Sequence, residues 1–299
     1  MKQIAIVSGK GGTGKTTLAA SFAALAGKAV VADCDVDAAT LHLLLDPNVI
    51  SQQEFKGSKL AVIDGSKCAK CGACEKACRF DAIVDLEVNP VLCEGCGVCA
   101  YVCPEGAIRL EERVSGYAYI SETRYGPMSH ARLLAAQANS GKLVALVRRN
   151  AEVLAKRHNL ELVLIDGPPG IGCPVIASLT GVDLVVAVTE PTISGYRDLD
   201  RALDLARHFG IKSSVVVNMH DINVENAEKI IESCGKGGVE ILAKIPFDPT
   251  VTEAMVAGKP VVEHSPDCAA SIVISRAWFR VCGILGIGAH PCEAPSTQA

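Results

Sequence analysis

Eight cysteines are the residues of this chain whose type and spacing most clearly indicate chemistry. They form two runs of four, and each cysteine of the second run lies 25 residues after its counterpart in the first: Cys68, Cys71, Cys74 and Cys78, then Cys93, Cys96, Cys99 and Cys103. Thiolates at this spacing can surround an iron–sulfur cluster, because each short loop turns its sulfurs toward one point. Zinc is the alternative, since C-x2-C pairs also bind zinc, but the internal repeat and the few nearby histidines favour iron–sulfur.

A glycine-rich loop from Gly9 to Thr17 is the second chemical feature. Its glycines let several backbone N–H groups point at one phosphate, and the N-terminus of the following helix adds a favourable field for anions. In such a loop Lys15 reaches the outer phosphates and the Thr16 hydroxyl binds Mg²⁺. The loop therefore predicts a nucleotide site made of Gly11, Gly12, Thr13, Gly14, Lys15, Thr16 and Thr17.

Composition narrows the class of protein. The chain has 299 residues, of which 49% are apolar and only 4% aromatic, as suits an aliphatic α/β core. A net charge of −4 gives no reason to expect nucleic acid or an anionic membrane as partner. We find no signal peptide and no apolar run long enough to span a bilayer. Since eight of the fourteen cysteines have metal-type spacing, we expect a reducing, cytoplasmic location.

Hydrophobic patterning predicts an α/β domain with a mostly parallel sheet covered by helices on both faces. The near-continuous apolar segment Leu184–Thr189 is typical of such a buried strand. The other predicted strands are Ile4–Val7, Ala29–Asp33, Leu160–Asp166, Ser213–Asn218 and Val239–Ile245. The predicted helices are Lys15–Ala26, Ala38–Leu45, Ser129–Ala138, Leu143–Arg157, Ser194–Phe209, Val224–Cys234, Val251–Ala257 and Cys268–Leu285.

The cysteine region divides this domain in sequence. We predict a first part at 1–58, a cysteine-rich insert at 59–112, a second part at 113–285 and a loose tail at 286–299. Within the insert, Ala82-Ile83 and Ala107-Ile108 extend the repeat, which predicts two copies of one small unit about a pseudo-twofold axis. Such a unit has almost no core, so its metal centres must supply much of its stability.

Lys10 makes the glycine loop more specific. The segment Lys-Gly-Gly-Thr-Gly-Lys-Thr resembles the deviant Walker A ATPases of the MinD/ParA/Mrp/nitrogenase-iron-protein superfamily, and the resemblance covers nearly all of the chain outside the insert. It implies a P-loop NTPase fold and Mg²⁺-dependent ATP hydrolysis. In that family the early lysine reaches the nucleotide of the partner subunit, which implies for Lys10 a homodimer in the ATP state.

The same resemblance implies roles for residues after four strands. The segment that ends in Asp166 resembles the Walker B strand, with Asp166 near Mg²⁺, and Asp33 to Asp37 resembles the first switch. We expect Asp35 to orient the attacking water and Asp33 to lie near the metal, so that Lys10, Lys15, Asp35 and Asp166 are the catalytic candidates. Asn218 and Pro246 resemble positions that hold the adenine.

The insert resembles a bacterial two-[4Fe–4S] ferredoxin, a small α+β domain. In that arrangement the fourth cysteine of each run ligates the other cluster. The resemblance implies one cluster on Cys68, Cys71, Cys74 and Cys103, and another on Cys93, Cys96, Cys99 and Cys78. Pro104 keeps the ferredoxin proline, whereas Arg79 replaces it after the first run. Cys173 has the spacing of a cluster ligand of the nitrogenase iron protein, which makes it a candidate intersubunit ligand, but an unpaired structural cysteine is favoured because no second ligand of that kind is evident.

Three functions are consistent with these features. The first is an ATP-dependent iron–sulfur protein that passes electrons to a redox partner or helps cluster assembly. The second is a MinD- or ParA-like spatial or regulatory ATPase that uses the insert as a sensor or docking module. The third is an electron carrier with a regulatory nucleotide site. The segment after Leu285 contains no Lys or Arg, which disfavours a basic membrane-targeting helix.

Overall fold

The computed structural model describes residues 1–134 and 140–288. The strands are β1 (Lys2–Ser8), β2 (Val30–Asp33), β3 (Asn48–Phe55), β4 (Ser58–Ile63), β5 (Ile83–Val84), β6 (Glu87–Val88), β7 (Ile108–Arg113), β8 (Gly116–Thr123), β9 (Gly126–Leu133), β10 (Leu162–Pro169), β11 (Leu184–Thr189), β12 (Ser213–Asn218) and β13 (Glu240–Ile245). The helices are α1 (Lys15–Ala26), α2 (His42–Leu45), α3 (Ala73–Ala77), α4 (Val98–Tyr101), α5 (Ser140–Arg157), α6 (Cys173–Leu179), α7 (Ile193–His208), α8 (Val224–Lys236), α9 (Pro249–Val256), α10 (Val261–His264) and α11 (Ala269–Leu285).

Nine strands form one sheet in the order β13-β12-β11-β1-β10-β2-β9-β8-β3. The first seven in this order run parallel, and the β9–β8 and β8–β3 pairs are antiparallel. The prediction of an α/β domain with a mostly parallel sheet is confirmed. Because the carboxyl ends of parallel strands meet at one edge, the loops after β1, β2 and β10 come together there.

Helices cover both faces of the sheet, and the strands of its parallel part supply both cores. On β1, Ile4 and Ile6 pack into one core with α1, α9, α10 and α11, whereas Ala5 and Val7 pack into the other with α5, α6, α7 and α8. Alternate strand residues point to opposite faces, so a strand covered on both sides must be apolar throughout. This requirement explains why β1 and β11 were readable from sequence.

The segment from Ser58 to Arg113, hereafter the cysteine lobe, lies outside the large sheet. It contains a two-stranded antiparallel ladder of β4 and β7 and a second ladder of β5 and β6. Its cluster of buried apolar residues is small and includes two cysteines: Ala61, Cys74, Ile83, Cys99 and Ile108. The lobe therefore has a core that is small beside the two cores of the sheet.

The structure corrects some predicted elements. The helix predicted over Ser129–Ala138 is wrong, because residues up to Leu133 belong to β9 and pair with β2 and β8; residues 135–138 lie outside the described part. Only the last turn of the helix predicted near Ala38–Leu45 forms, as α2. The sequence analysis also missed β3, β8 and α6. Most of the tail 286–299 lies beyond the described residues.

The described helices include none with the length and apolar character that a membrane span requires.

Candidate functional site

The glycine loop connects β1 to α1, as predicted, and one of its glycines is required by close packing. Gly14 has φ 91°, a left-handed conformation that L side chains rarely adopt. A Cβ atom at Gly14 would lie 2.4 Å from Nδ2 of Asn218. That Nδ2 donates a hydrogen bond of 2.9 Å to the carbonyl oxygen of Thr13. Asn218, at the end of β12, therefore holds the loop in place.

A cleft of about 500 Å³ opens beside this loop. Its polar end is lined by loop residues from Gly11 to Thr17 and by Asp35, and Asn218 also lines it. Its other lining residues include an apolar group: Val188, Met219, Ile245, Val251, Met255 and Ile274. Pro246 does not line this cleft, although its neighbour Ile245 does. One end thus suits phosphate and the other a flat apolar ring.

Lys15 lies at the centre of the carboxylates that the sequence singled out. Its Nζ is 2.8 Å from Oδ1 of Asp166 and 3.7 Å from Oδ2 of Asp35. Asp33, the last residue of β2, is the register partner of Asp166 within β10, so the two side chains lie side by side on the sheet. Burial alone would lower the pKa of the Lys15 ammonium, but the attraction of Asp166, Asp35 and Asp33 outweighs it and the pKa is raised.

The two buried carboxylates have spare coordinating capacity. Among the described residues, neither Oδ2 of Asp33 nor Oδ2 of Asp166 has a hydrogen-bond partner, although both side chains are almost fully buried. Burial, followed by repulsion from Asp166, raises the pKa of Asp33 well above its usual range. Burial also raises the pKa of Asp35, and Lys15 opposes that shift. A divalent cation beside these oxygens would offset both effects.

Lys10 lies on the loop but its ammonium does not line the cleft. Nζ of Lys10 is 2.6 Å from Oε1 of Glu190, and it donates hydrogen bonds to the hydroxyls of Ser194 (2.9 Å) and Thr192 (3.3 Å). These partners lie between β11 and the start of α7. The structure therefore shows Lys10 bound within its own chain.

In the cysteine lobe, the eight cysteines line two separate cavities. Cys68, Cys71, Cys74 and Cys103 line one cavity. Cys78, Cys93, Cys96 and Cys99 line the other. All eight are free thiols. Each cavity therefore receives three cysteines from one run and the fourth cysteine of the other run.

The sulfurs are not gathered as one metal ion would require. Across residues 1–134 and 140–288, no three side chains of His, Cys, Asp or Glu come close enough together to hold a single ion. Zinc needs such a group, since all four ligands lie about 2.0–2.3 Å from one centre. A four-iron cluster binds each thiolate through a different iron, so its ligands stand around a larger volume. A zinc ion would thus require the cysteine sulfurs to lie closer together than a four-iron cluster does.

Hydrogen bonds connect the loop after β2 to the base of the cysteine lobe. The N–H of Leu133 donates to the carbonyl oxygen of Val36 over 3.0 Å, and the N–H of Leu134 donates to that of Ser115 over 2.9 Å. Ser115 in turn donates its N–H to Phe55 over 2.7 Å. The Ser115 and Ser58 hydroxyls lie 2.7 Å apart. The segment that carries Asp35 is thus linked to the start of the lobe through β9.

The sequence analysis missed two residues with long-range polar contacts, one beside the glycine loop and one in the core. Glu190 follows β11 directly, and its place at the carboxyl end of a parallel strand is a signal that sequence alone offers. Arg148 lies on the buried face of α5 and donates to the carbonyl oxygens of Ser178 (2.5 Å) and Thr180 (3.0 Å) at the end of α6. Burial lowers the pKa of Arg148. Helical spacing places Arg148 on the apolar face of α5 and so predicts its burial, but its partners appear only in three dimensions.

Cys173 lies at the first residue of α6, is exposed, and lines neither cysteine cavity. Its proposed ligand role stays a prediction.

Comparison with known proteins matches residues 4–261 to the family described as "CobQ/CobB/MinD/ParA nucleotide binding domain". An uncharacterised protein of Methanocaldococcus jannaschii is 36% identical over 249 residues, which cover 82% of this chain and 84% of that protein. An iron-sulfur cluster carrier protein of the same organism is 26% identical over 300 residues, covering 93% of this chain and 83% of the carrier.

Among solved structures, the septum site-determining protein MinD from Pyrococcus horikoshii, complexed with Mg-ADP, superimposes with a TM-score of 0.60. The match covers 95% of this chain and 97% of that one at 19% sequence identity. At this identity the likeness supports the fold.

Proposed function

Because the chain belongs to the CobQ/CobB/MinD/ParA nucleotide-binding family, we propose that it is an Mg²⁺-dependent ATPase that couples a nucleotide switch to electron transfer by two resident [4Fe–4S] clusters. The observation that carries the redox part is the crossed arrangement of the cysteines, in which each cavity takes its fourth cysteine from the other run. The clusters would be held by Cys68, Cys71, Cys74 and Cys103, and by Cys93, Cys96, Cys99 and Cys78. A [4Fe–4S] cluster supplies one-electron transfer.

The cleft supports the ATPase part. The backbone N–H groups of the glycine loop would hold the phosphates, and the apolar end of the cleft would hold the adenine between Met219, Ile245 and Met255. Asn218 would act there by fixing the loop, through its bond to Thr13. Since Pro246 does not line the cleft, it would contact the base only if the segment after β13 moves.

The charged residues of the cleft would have separate roles in ATP hydrolysis. Thr16, Asp33 and Asp166 would hold Mg²⁺, because two of their buried oxygens lack partners in the described structure. Lys15 would leave Asp166 for the outer phosphates and offset their charge. Asp35, at the mouth of the cleft, would orient the attacking water. Completion of the site by Lys10 of a second copy would make turnover depend on a homodimer.

Resident clusters are favoured over clusters carried as cargo. Cys74 and Cys99 are buried in the core of the cysteine lobe, at 7% and 9% exposure. Release of a cluster would leave these thiols as the main contents of that core. We therefore expect first a partner protein that accepts electrons and does not take up the cluster.

Cluster assembly is the second candidate, and the similarity to the iron-sulfur cluster carrier protein favours it.

The decisive experiment is metal analysis of the chain purified without oxygen. We expect about eight irons and eight sulfides per chain, and an EPR signal on reduction. Cys71→Ala and Cys96→Ala should each lose about four irons, whereas the matched control Cys173→Ala should lose none. Zinc, or no metal, in a preparation that hydrolyses ATP would contradict the redox part and leave a MinD/ParA-like regulatory ATPase.

Coupling requires a separate measurement. The chemically reduced protein is mixed with an artificial one-electron acceptor in the presence of ATP, ADP or no nucleotide. Different oxidation rates in the three conditions are expected. Equal rates would favour an electron carrier whose nucleotide site does not control transfer.

A further inference from the structure

Lys10 belongs to the glycine loop, but its ammonium is held by three side chains that lie outside the loop. Glu190 contributes the ion pair of 2.6 Å, and Ser194 and Thr192 contribute the two hydroxyl contacts. The side chains of Lys10 and Glu190 are 30% and 18% exposed, so solvent reaches the pair but does not surround it. In this conformation the Lys10 ammonium is committed to oxygens of its own chain.

The group that holds Lys10 is itself fixed. The Thr192 hydroxyl caps α7 by accepting a hydrogen bond of 2.9 Å from the N–H of Gly195, and it lies 3.3 Å from the Glu190 carboxylate. Gly9 packs directly against α7, since a Cβ atom there would lie 2.3 Å from Cβ of Asp198. The anchor therefore cannot follow Lys10 toward a phosphate, and the ion pair must open first.

We propose that Glu190 is a positioning residue that holds Lys10 away from phosphate until a nucleotide-bound partner copy competes for it. The inference rests on the proposed function, because it takes Lys10 to bind phosphate in the ATP-state dimer. Glu190 then opposes dimer formation and limits turnover by the isolated chain. Exposed ion pairs contribute modestly to a protein's free energy, so the expected effect on the dimerisation constant is about two- to five-fold.

Glu190→Gln tests the proposal, because it removes the charge and keeps a side chain of nearly the same size and shape. Dimerisation with a non-hydrolysable ATP analogue and Mg²⁺ is measured by analytical ultracentrifugation, and initial ATP turnover is measured at low protein concentration. We expect a dimerisation constant about two- to five-fold more favourable and a similar rise in turnover. Glu190→Asp, which keeps the charge, should stay close to the wild type.

Asp183→Asn is the matched control. It removes a comparable ion pair, the 2.9 Å contact between Lys2 and Asp183, at the opposite end of β1 from the loop. It should change neither the dimerisation constant nor the turnover. In a Lys10→Ala background, Glu190→Gln should likewise have no effect, because the double-mutant cycle removes the group through which Glu190 acts.

The outcomes separate the two proposals. Equal dimerisation in Glu190→Gln and the wild type, or weaker dimerisation in the variant, overturns this inference while the ATPase proposal stands. The same holds if the variant keeps its effect when Lys10 is absent. A wild-type chain that neither binds nor hydrolyses ATP overturns both.

Discussion

The nucleotide cleft and the cysteine lobe are built on opposite principles. The cleft rests on a nine-stranded sheet with a full core on each face, and its charged residues are positioned before any ligand arrives. The lobe has two short ladders and a handful of buried residues, two of which are cysteines. A large core can hold polar groups in unfavourable surroundings, such as the partnerless oxygens of Asp33 and Asp166.

The two regions differ in the interactions that hold the residues of each site in place. At the cleft, the protein supplies it, and a ligand relieves charges that folding has already brought together. In the lobe, the eight thiols surround two cavities that apolar contacts alone can hardly keep in shape. We therefore expect the lobe to depend on its metal centres and the cleft to be formed without nucleotide.

Removal of the metal centres should have the largest effect and should be confined to the lobe. Structural metals contribute on the order of 10 kcal/mol to small domains, which exceeds what a five-residue core offers. Amide hydrogen exchange after iron chelation should become fast across β4 and β7 while β1 and β11 stay protected. Equal protection of β4 and β7 with and without iron would mean that the lobe does not depend on metal for its stability.

Lys15→Ala should lower ATP turnover about 10²- to 10³-fold, because no cation replaces its charge at the phosphates. Iron and sulfide contents should stay at the wild-type level, since the lobe does not depend on the cleft for its fold. Lys28→Ala, an exposed lysine just after α1, is the control and should leave turnover unchanged. Turnover retained by the Lys15 variant would remove the role assigned to this residue.

The pH dependence of stability should report His130, a half-buried residue of β9. Burial, with a smaller contribution from His42, lowers the pKa of His130 from 6.5 to about 4. As the pH falls from about 6.5 to about 4, His130 binds a proton in the unfolded chain but not in the folded chain, so the free energy of unfolding decreases. The contribution is on the order of 3 kcal/mol, and it is fully present only above pH 6.5.

His130→Gln should remove this part of the slope. The free energy of unfolding of both proteins is measured by denaturant titration at several pH values. The control is the same titration followed by the visible absorption of the lobe's metal centres, whose loss should show no inflection tied to His130. Parallel pH profiles for the wild type and the variant would mean that His130 titrates freely in the folded chain.

The smallest expected effect concerns the connection between the two regions. Ser115→Ala removes the hydroxyl contact with Ser58, worth about 1 kcal/mol, at the point where β9 contacts the base of the lobe. We expect the difference between ATP and ADP in amide exchange of β4 to shrink. Ser213→Ala, which removes a 3.2 Å hydroxyl bond to Ile211, should leave that difference intact. An unchanged difference in the Ser115 variant would exclude this route.

Most of the fold could be predicted because its strands are buried on both faces. β11 and β12 have the predicted bounds, as does α1. β3, β8 and β9 were missed because they lack the continuous apolar sequence of the central strands, although only β3 lies at the edge of the sheet. Their pattern is mixed, and β3 has almost no buried residue. Ser129 and its neighbours form β9 since pairing with β2 and β8 outweighs their local preference.

The chemical groups of this chain could be identified from local sequence: a phosphate loop, carboxylates that follow predicted strands, and eight thiols in a repeat. These follow from local spacing, which short loops translate directly into geometry. The contacts between these groups became known only from the folded chain. The pairing of Lys10 with Glu190, the bonds of Arg148 to α6, and the sorting of the cysteines into two cavities join residues far apart in the chain. Such contacts are fixed by the packing of whole strands and helices, which no local pattern encodes.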